Sequence, residues 1–171
     1  MSELEDLRDR TFSWKYLSGF PLDVLICEGK QEVGRLWRPT NNKPVIRAVL
    51  AEINWLIHEW SGVGPFRYEI LFADGPILGE GHNHFARFQI CLDGQRVYSL
   101  RKDSYGVSSL FDDRGTDAII FHRDNWHDDA PKSGDVIVSR EVHILDAPPL
   151  IVIGLSMALT GRLFQTRASG Y

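Results

Sequence analysis

Residues 146–162 of this 171-residue chain have the sequence DAPPLIVIGLSMALTGR. No charged side chain occurs from Ala147 to Gly161, and the large apolar residues fall on every side of a helical wheel. A surface helix carries its apolar residues on one face only, so this segment must be enclosed by protein or by lipid. What encloses it decides the fold of the rest of the chain.

Three arrangements are compatible with this segment. A helix of about fifteen residues rises about 22 Å, which is short of the roughly 30 Å hydrocarbon core of a bilayer. We therefore predict that residues 147–164 form a helix buried inside the protein, capped by Asp146 and with two prolines in its first turn. A membrane tail anchor, with Arg162 and Arg167 at the interface, and a buried strand led by residues 151–153 are the alternatives.

The composition is that of one ordinary globular domain, with 43% hydrophobic and 25% charged residues. The net charge of −4 gives no positive field to attract nucleic acid, so no nucleic-acid partner is predicted. The acidic start of the chain lacks the apolar region of a secretion signal, and the expected location is cytoplasmic. Cys27 and Cys91 each lie in an apolar, strand-like segment, which favours buried thiols over a disulfide.

The first third of the chain mixes two patterns. Residues 1–18 could form a short frayed helix, and residues 19–38 contain two apolar runs around a Gly-containing turn, which is typical of a β-hairpin. In residues 44–60 the apolar residues recur at steps of three and four, which predicts an amphipathic helix with Asn42 as its cap and Ser61-Gly62 as its stop. This helix should pack on the outside of the sheet. The hairpin and helix together occupy residues 19–62.

From Gly64 to His143 the pattern has period two, with turn residues every eight to twelve positions. Asp93-Gly94 and Gly115 lie in such turns, and Asp-Gly is one of the strongest local hairpin signals. A regular antiparallel meander of this kind favours a closed or strongly curled sheet, because closure removes exposed strand edges. The predicted fold is a single α+β domain, with an antiparallel β-barrel around the C-terminal helix.

The chain resembles the tubby-like superfamily, in particular its small members related to phospholipid scramblases and to plant LURP-one-type proteins. The likeness covers about residues 64–165 and is carried by residues 98–115, where one strand leads through Leu100-Arg101-Lys102 to a second strand and an Asp-Asp-Arg-Gly turn, and by the hinge at residues 146–150. The resemblance implies a closed antiparallel barrel threaded by its last helix. It also implies strands at residues 44–60, where the periodicity predicts a helix.

Five basic residues lie on or just beyond the predicted strands, and a barrel could collect some of them into one pocket: Arg87, Arg101, Lys102, Arg123 and Arg140. The planar fork of Arg suits a phosphate or carboxylate group, to which it donates two hydrogen bonds at once. The resemblance supports this prediction, because tubby domains bind phosphoinositide headgroups on the barrel surface. Scattered solvated charges are the plainer explanation of the same residues.

His82 and His84 fall on one face of an extended segment, a spacing that serves metal sites in cupin-like proteins. His127 could add a third ligand, but the segment from Phe85 to Leu92 lacks the glutamate expected of such a site. Solvent-exposed histidines at a hairpin explain the pattern equally simply. No stretch has the spacing of a nucleophile, nucleotide or cofactor motif, so no catalytic residue and no cofactor is predicted.

Taken together, these patterns predict a non-enzymatic binding protein whose partner is an anionic lipid headgroup or another protein. A small cupin-like, metal-dependent enzyme that uses His82 and His84 is one alternative. A tail-anchored membrane protein is the other.

Overall fold

The computed structural model describes residues 5–18, 23–39, 45–60, 67–72, 75–84, 87–104, 106–124 and 132–159. These residues contain twelve strands and one helix, namely β1 (Thr11–Ser18), β2 (Asp23–Glu28), β3 (Gln31–Trp37), β4 (Val45–Leu50), β5 (Ile53–Trp60), β6 (Arg67–Phe72), β7 (Ile77–His84), β8 (Arg87–Leu92), β9 (Arg96–Ser104), β10 (Val107–Phe111), β11 (Asp117–Arg123), β12 (Ser133–Val138) and α1 (Ala147–Leu159).

The twelve strands form one closed barrel. Each strand pairs antiparallel with the next along the chain, and β1 pairs with β12 to close the cylinder, from Thr11 opposite Ile137 to Lys15 opposite Ser133. Closure leaves no strand edge in the sheet, which is the physical reason that a long meander adopts this form. The predicted antiparallel barrel is therefore confirmed.

Helix α1 fills the barrel. Its residues from Ala147 to Met157 are all buried, and its one described polar side chain, Ser156, donates a 2.7 Å hydrogen bond to the carbonyl of Val152. A helix surrounded by strands has no water-facing side, which explains why the sequence is apolar in every direction. The predicted buried helix begins at Ala147 as expected. Among the described residues, no helix is both long enough and apolar enough to cross a membrane.

The inner face of the sheet packs against this helix through large alternating side chains. They include Phe12 and Trp14 of β1, Ile46, Ala48 and Leu50 of β4, and Ile119 and Phe121 of β11. Gly154 packs tightly against the ring of Phe121, since a methyl group added to the glycine would lie 2.0 Å from the ring. The lack of a side chain at Gly154 therefore lets α1 pack directly on β11.

The barrel has two different ends. The eight-residue connection 139–146 leaves β12 and enters the barrel at the end where the odd-numbered strands begin, which we call the entry end. Helix α1 then runs toward the end where the odd-numbered strands finish, which we call the exit end. Asp146 marks the entry end and is held there by residues that begin β9.

The amphipathic helix predicted for residues 44–60 is wrong, because this stretch forms the β4–β5 hairpin. Ala51 and Glu52 make its two-residue turn with positive φ angles of 51° and 62°. Neither Ala nor Glu predicts such a turn, since Asn and Gly are the residues that favour it. The helical spacing arose because both faces of the hairpin are partly apolar, with Ile46 and Ile57 inside and Leu56 outside. The predicted cap Asn42 and stop Ser61-Gly62 lie outside the described residues.

The N-terminal expectations are corrected in the same way. Residues 11–18 form strand β1, so the helix expected within residues 1–18 is wrong over that range. The predicted hairpin that follows is present as β2 and β3, with Gly29 at positive φ in its turn. Cys27 and Cys91 are both free, as expected, although both thiols are only partly buried.

Candidate functional site

Arg123 is the last residue of β11 and faces the inside of the barrel at the exit end. The alternation of β11 places Ile119, Phe121 and Arg123 inside, and the three side chains are buried. Arg123 lies two residues, or about 7 Å, beyond the contact between Phe121 and Gly154. That distance brings it near the level of the last turn of α1, which contains no basic residue of its own.

Two guanidinium nitrogens of Arg123, Nε and Nη2, are buried and have no hydrogen-bond partner among the described residues. The residue as a whole is 6% exposed. A buried charge that lacks a partner costs several kcal/mol, so buried guanidinium groups are normally paired with an anion. The carbonyl end of α1 can offset part of that cost through the helix dipole, but it supplies no full negative charge.

Two aromatic side chains of β1 lie beside this cation. Trp14 is opposite Gly134 of β12, which in turn is opposite Arg123, and Gly134 has no side chain to separate the two. Tyr16 packs edge-on against Trp14, with ring centroids 6.1 Å apart. Burial raises the pKa of Tyr16 to about 12, and the positive charge of Arg123 acts in the opposite direction, which places the two groups within electrostatic reach. The Tyr16 hydroxyl therefore stays protonated at neutral pH and can donate a hydrogen bond.

Lys102 lies on the same inner face as Arg123. It is opposite Ser108 of β10, and Ser108 is opposite Phe121, so Lys102 stands two strands from β11 and one inward position nearer the entry end. The Lys102 side chain is exposed at the end of the barrel, and its partial burial lowers the pKa of the ammonium from its ordinary value. The exit end thus combines two cations and a tyrosine hydroxyl along the β9 to β1 wall.

The opposite wall of the exit end carries an ion pair. Glu59 of β5 is a buried inward-facing residue, and its carboxylate accepts a hydrogen bond from Nη2 of Arg38, which follows β3. Strands β5 and β11 are six positions apart in a twelve-stranded barrel, so Glu59 and Arg123 lie on opposite sides. The Arg38–Glu59 pair therefore does not neutralise Arg123.

The barrel brings together two of the five basic residues that the sequence singled out. Arg101 faces outward, donates a 2.7 Å hydrogen bond to Asp117 and lies over the ring of Phe111. Arg140 is exposed in the turn after β12, at the entry end. Arg87 begins β8, but its side chain is outside the described part. Lys102 and Arg123 remain as the shared inner-face pair.

The predicted metal ligands are only partly described. His82 is a partly buried residue on the outer face of β7, and the side chain of His84, two residues further along β7, is outside the described part. His127 lies outside the described residues. Among the described side chains, no group of three His, Cys, Asp or Glu residues is arranged to hold a metal ion. The metal site therefore stays a prediction.

The entry end is built around Asp146. Its carboxylate is buried and accepts two 2.6 Å hydrogen bonds at Oδ2, one from Nε of Arg96 and one from the hydroxyl of Tyr98. The backbone carbonyl of Asp146 accepts a 3.0 Å hydrogen bond from the amide of Leu150, which starts the helix. The side chain thus anchors the start of α1 to β9. Arg96 and Tyr98 therefore have a structural role at this end.

The fold defines this chain as a helix-filled, twelve-stranded antiparallel barrel with a buried cation at its exit end. Comparison with known proteins found no matching family model, no matching curated protein and no matching solved structure.

Sequence reasoning missed Tyr16 and the Arg38–Glu59 pair as parts of the exit end. The strand alternation contained a usable signal for the first, since Phe12, Trp14 and Tyr16 share a face. No local signal relates Arg38 to Glu59, because the segment that forms the β4–β5 hairpin has the apolar spacing of a helix.

Proposed function

We propose that this chain is a non-enzymatic binding module whose exit end takes up an anionic group, of which the phosphate of a lipid headgroup is the favoured source. Two buried guanidinium nitrogens of Arg123, Nε and Nη2, carry the proposal, because neither has a hydrogen-bond partner in the described part of the chain. An anion that reached Nε and Nη2 would supply the missing hydrogen-bond acceptors and the missing negative charge together.

The neighbours of Arg123 suit a phosphate. A phosphate offers several acceptor oxygens, which the forked guanidinium, the Tyr16 hydroxyl and the Lys102 ammonium could share. The lowered pKa of Lys102 also supports an anion, because partial desolvation disfavours the charged ammonium and a nearby anion would stabilise it. The resemblance to tubby-like proteins, some of which bind phosphoinositides, supports the same ligand class.

The test measures binding of the intact chain to inorganic phosphate, to phosphatidylcholine vesicles and to the same vesicles containing a phosphoinositide. We expect binding to phosphate and to the phosphoinositide vesicles only. Binding to free phosphate without vesicle binding would identify a soluble phosphate compound as the source. Absence of binding in all three arms would overturn the proposal.

Two variants with equal charge changes sharpen the test. Arg123→Gln should weaken binding about 10- to 100-fold, since a charge-assisted hydrogen bond contributes about 1.5–3 kcal/mol. Arg140→Gln, on an exposed turn at the other end, should leave it unchanged. If Arg123 serves only the carbonyl end of α1, the Gln variant will lose stability while phosphate binding persists.

A further inference from the structure

A second site lies outside the barrel, on the wall formed by β2, β3 and β4. A cleft of about 760 Å³ runs along β3 from Glu32, near its start, to Trp37 at its end, and it reaches Glu52 in the β4–β5 turn. Small-molecule sites commonly occupy about 300–1,000 Å³. The cleft therefore has the size of a ligand site, and it shares no lining residue with the inner-face group around Arg123.

The floor of this cleft is apolar and aromatic. Val33, Val49 and Trp37 line it and are partly buried; Val49 and Trp37 lie on the outer face of the sheet, whereas Val33 also packs against the core at the β2–β3 bulge. The outer face of an antiparallel sheet normally carries polar side chains where it meets water. Trp37 and Val49 are diagonal neighbours across the β3–β4 pair, and the apolar patch that they form borders the side chain of Arg35, which lies opposite Val49.

One end of the cleft carries two carboxylates that the fold does not use. Glu32 and Glu52 each lie two residues beyond Gly34 and Leu50, the last paired residues of β3 and β4 at that end. Both are exposed, and neither makes an ion pair or hydrogen bond with any residue in the described ranges. Like charges placed close together on adjacent strands are destabilising, so these two acids add nothing to the stability of the barrel.

The cations that line the cleft are engaged elsewhere. Arg35 donates to both carboxylate oxygens of Asp23, at 2.8 and 2.5 Å. Arg38 is bound to the buried Glu59 inside the exit end. Glu32 acts on Arg35 electrostatically, but the guanidinium fork faces Asp23. Among the described residues, the Glu32–Glu52 end therefore keeps a net negative charge beside an apolar floor.

The geometry points to a binding site for a small organic cation that bears an aliphatic chain, such as a primary alkylamine. The ammonium group occupies the end between Glu32 and Glu52. Its chain lies along Val33 and Val49 and ends against the indole of Trp37. This arrangement satisfies both halves of the cleft at once, since the charge meets two carboxylates and the chain leaves water for an apolar surface.

Isothermal titration calorimetry of the intact chain at pH 7 tests this site with three probes. Decylamine carries both the charge and the chain, decanoate carries the same chain with the opposite charge, and butylamine carries the charge with a short chain. We expect decylamine to bind, butylamine to bind more weakly and decanoate not to bind. Equal binding of decanoate and decylamine, or no binding of decylamine, overturns the assignment.

A double variant separates the site from general adsorption of an amphiphile. Glu32→Gln/Glu52→Gln should bind decylamine about tenfold more weakly. Its thermal stability should be at least that of the parent, because a like-charge pair has been removed. The matched control Asp113→Asn/Glu141→Gln, which changes two exposed acids at the entry end, should bind as the parent does. Equal weakening of both double variants, or of neither, overturns the assignment.

Discussion

The hydroxyl of Tyr98 on β9 donates a 2.6 Å hydrogen bond to Oδ2 of Asp146, the residue immediately before α1. The same oxygen accepts a second bond from Arg96, two residues earlier on the same strand. A single buried carboxylate therefore ties the start of the central helix to the barrel wall. This tie has consequences for stability that can be measured.

Replacement of Asp146 by Ala should destabilise the protein by about 3 kcal/mol, because it leaves Arg96 and Tyr98 without their shared acceptor. The free energy of unfolding in urea measures the effect. Asp117→Ala is the matched control, since it removes an exposed pair with Arg101 and should cost less than about 1 kcal/mol. Equal losses in the two variants would contradict the proposed tie.

Alkaline pH should destabilise the barrel through its buried tyrosines. Burial, with a smaller contribution from Asp146, raises the pKa of Tyr98 above its ordinary value near 10, and burial raises the pKa of Tyr16 to about 12. A group whose pKa is higher in the folded state stabilises it below the unfolded pKa and loses that contribution as pH rises through the folded one. The free energy of unfolding should therefore fall from about pH 10 upward.

Phe substitutions identify the groups responsible. Tyr16→Phe should flatten the fall between about pH 10 and pH 12, since the variant has no hydroxyl to ionise. Tyr98→Phe should do the same over a range that extends higher. A pH profile that both variants leave unchanged would place the alkaline transition elsewhere.

Gly154→Ala should destabilise the protein by about 1–3 kcal/mol, because the new methyl group would lie 2.0 Å from the ring of Phe121. Phe121→Leu alone should also be destabilising, since it removes part of a fully buried ring. Unfolding free energies of both single variants and the double variant complete a double-mutant cycle. We expect the double variant to be more stable than the sum of the two losses predicts, and strict additivity would contradict the contact.

Leu155→Asp should abolish folding, because it places an unpaired carboxylate at a position that is 1% exposed inside the barrel. Leu145→Asp is the matched control at a position that is 52% exposed, ten residues earlier. Circular dichroism and gel filtration distinguish the two outcomes. A folded, monomeric Leu155→Asp variant would show that α1 does not lie at the centre.

Replacement of Ala51-Glu52 by Asn-Gly should stabilise the protein by about 1–2 kcal/mol. Both residues have left-handed backbone conformations, which cost L-residues with a Cβ about 1–2 kcal/mol each and which Asn and Gly adopt readily. The midpoint of thermal unfolding measures the change. Glu32→Gly, at an exposed position of β3, is the control. Glycine in a strand should leave the stability unchanged or lower it.

Much of the fold could be predicted from sequence because its signals are local. The segment 147–159 has no polar side, so its burial follows from composition alone, and the turns at Gly29, Gly94 and Gly115 all have the positive φ that their glycines indicate. Closure of the sheet follows from a meander with too many strands to leave its edges open. The number of strands could not be predicted, because the apolar spacing over β4 and β5 is that of one helix.

The candidate site was less accessible to sequence reasoning. Which basic residues point inward depends on the register of each strand, and a shift of one residue moves every side chain to the other face. Arg101 and Lys102 are neighbours in sequence, yet strand alternation puts Arg101 on the outer face and Lys102 on the inner face, where its side chain is still exposed at the end of the barrel. The bulge between Val107 and Ser108 adds a further shift that no local pattern announces.

The position of α1 at the end of the described chain has a consequence for biosynthesis. All twelve strands leave the ribosome before the helix that supplies their shared interior, and the seam joins Thr11 to Ile137, close to the opposite end of the barrel sequence. The nascent sheet therefore exposes its apolar face to water until translation has passed Met157. A chain released before that point lacks the helix that fills the barrel, and its exposed apolar face favours aggregation.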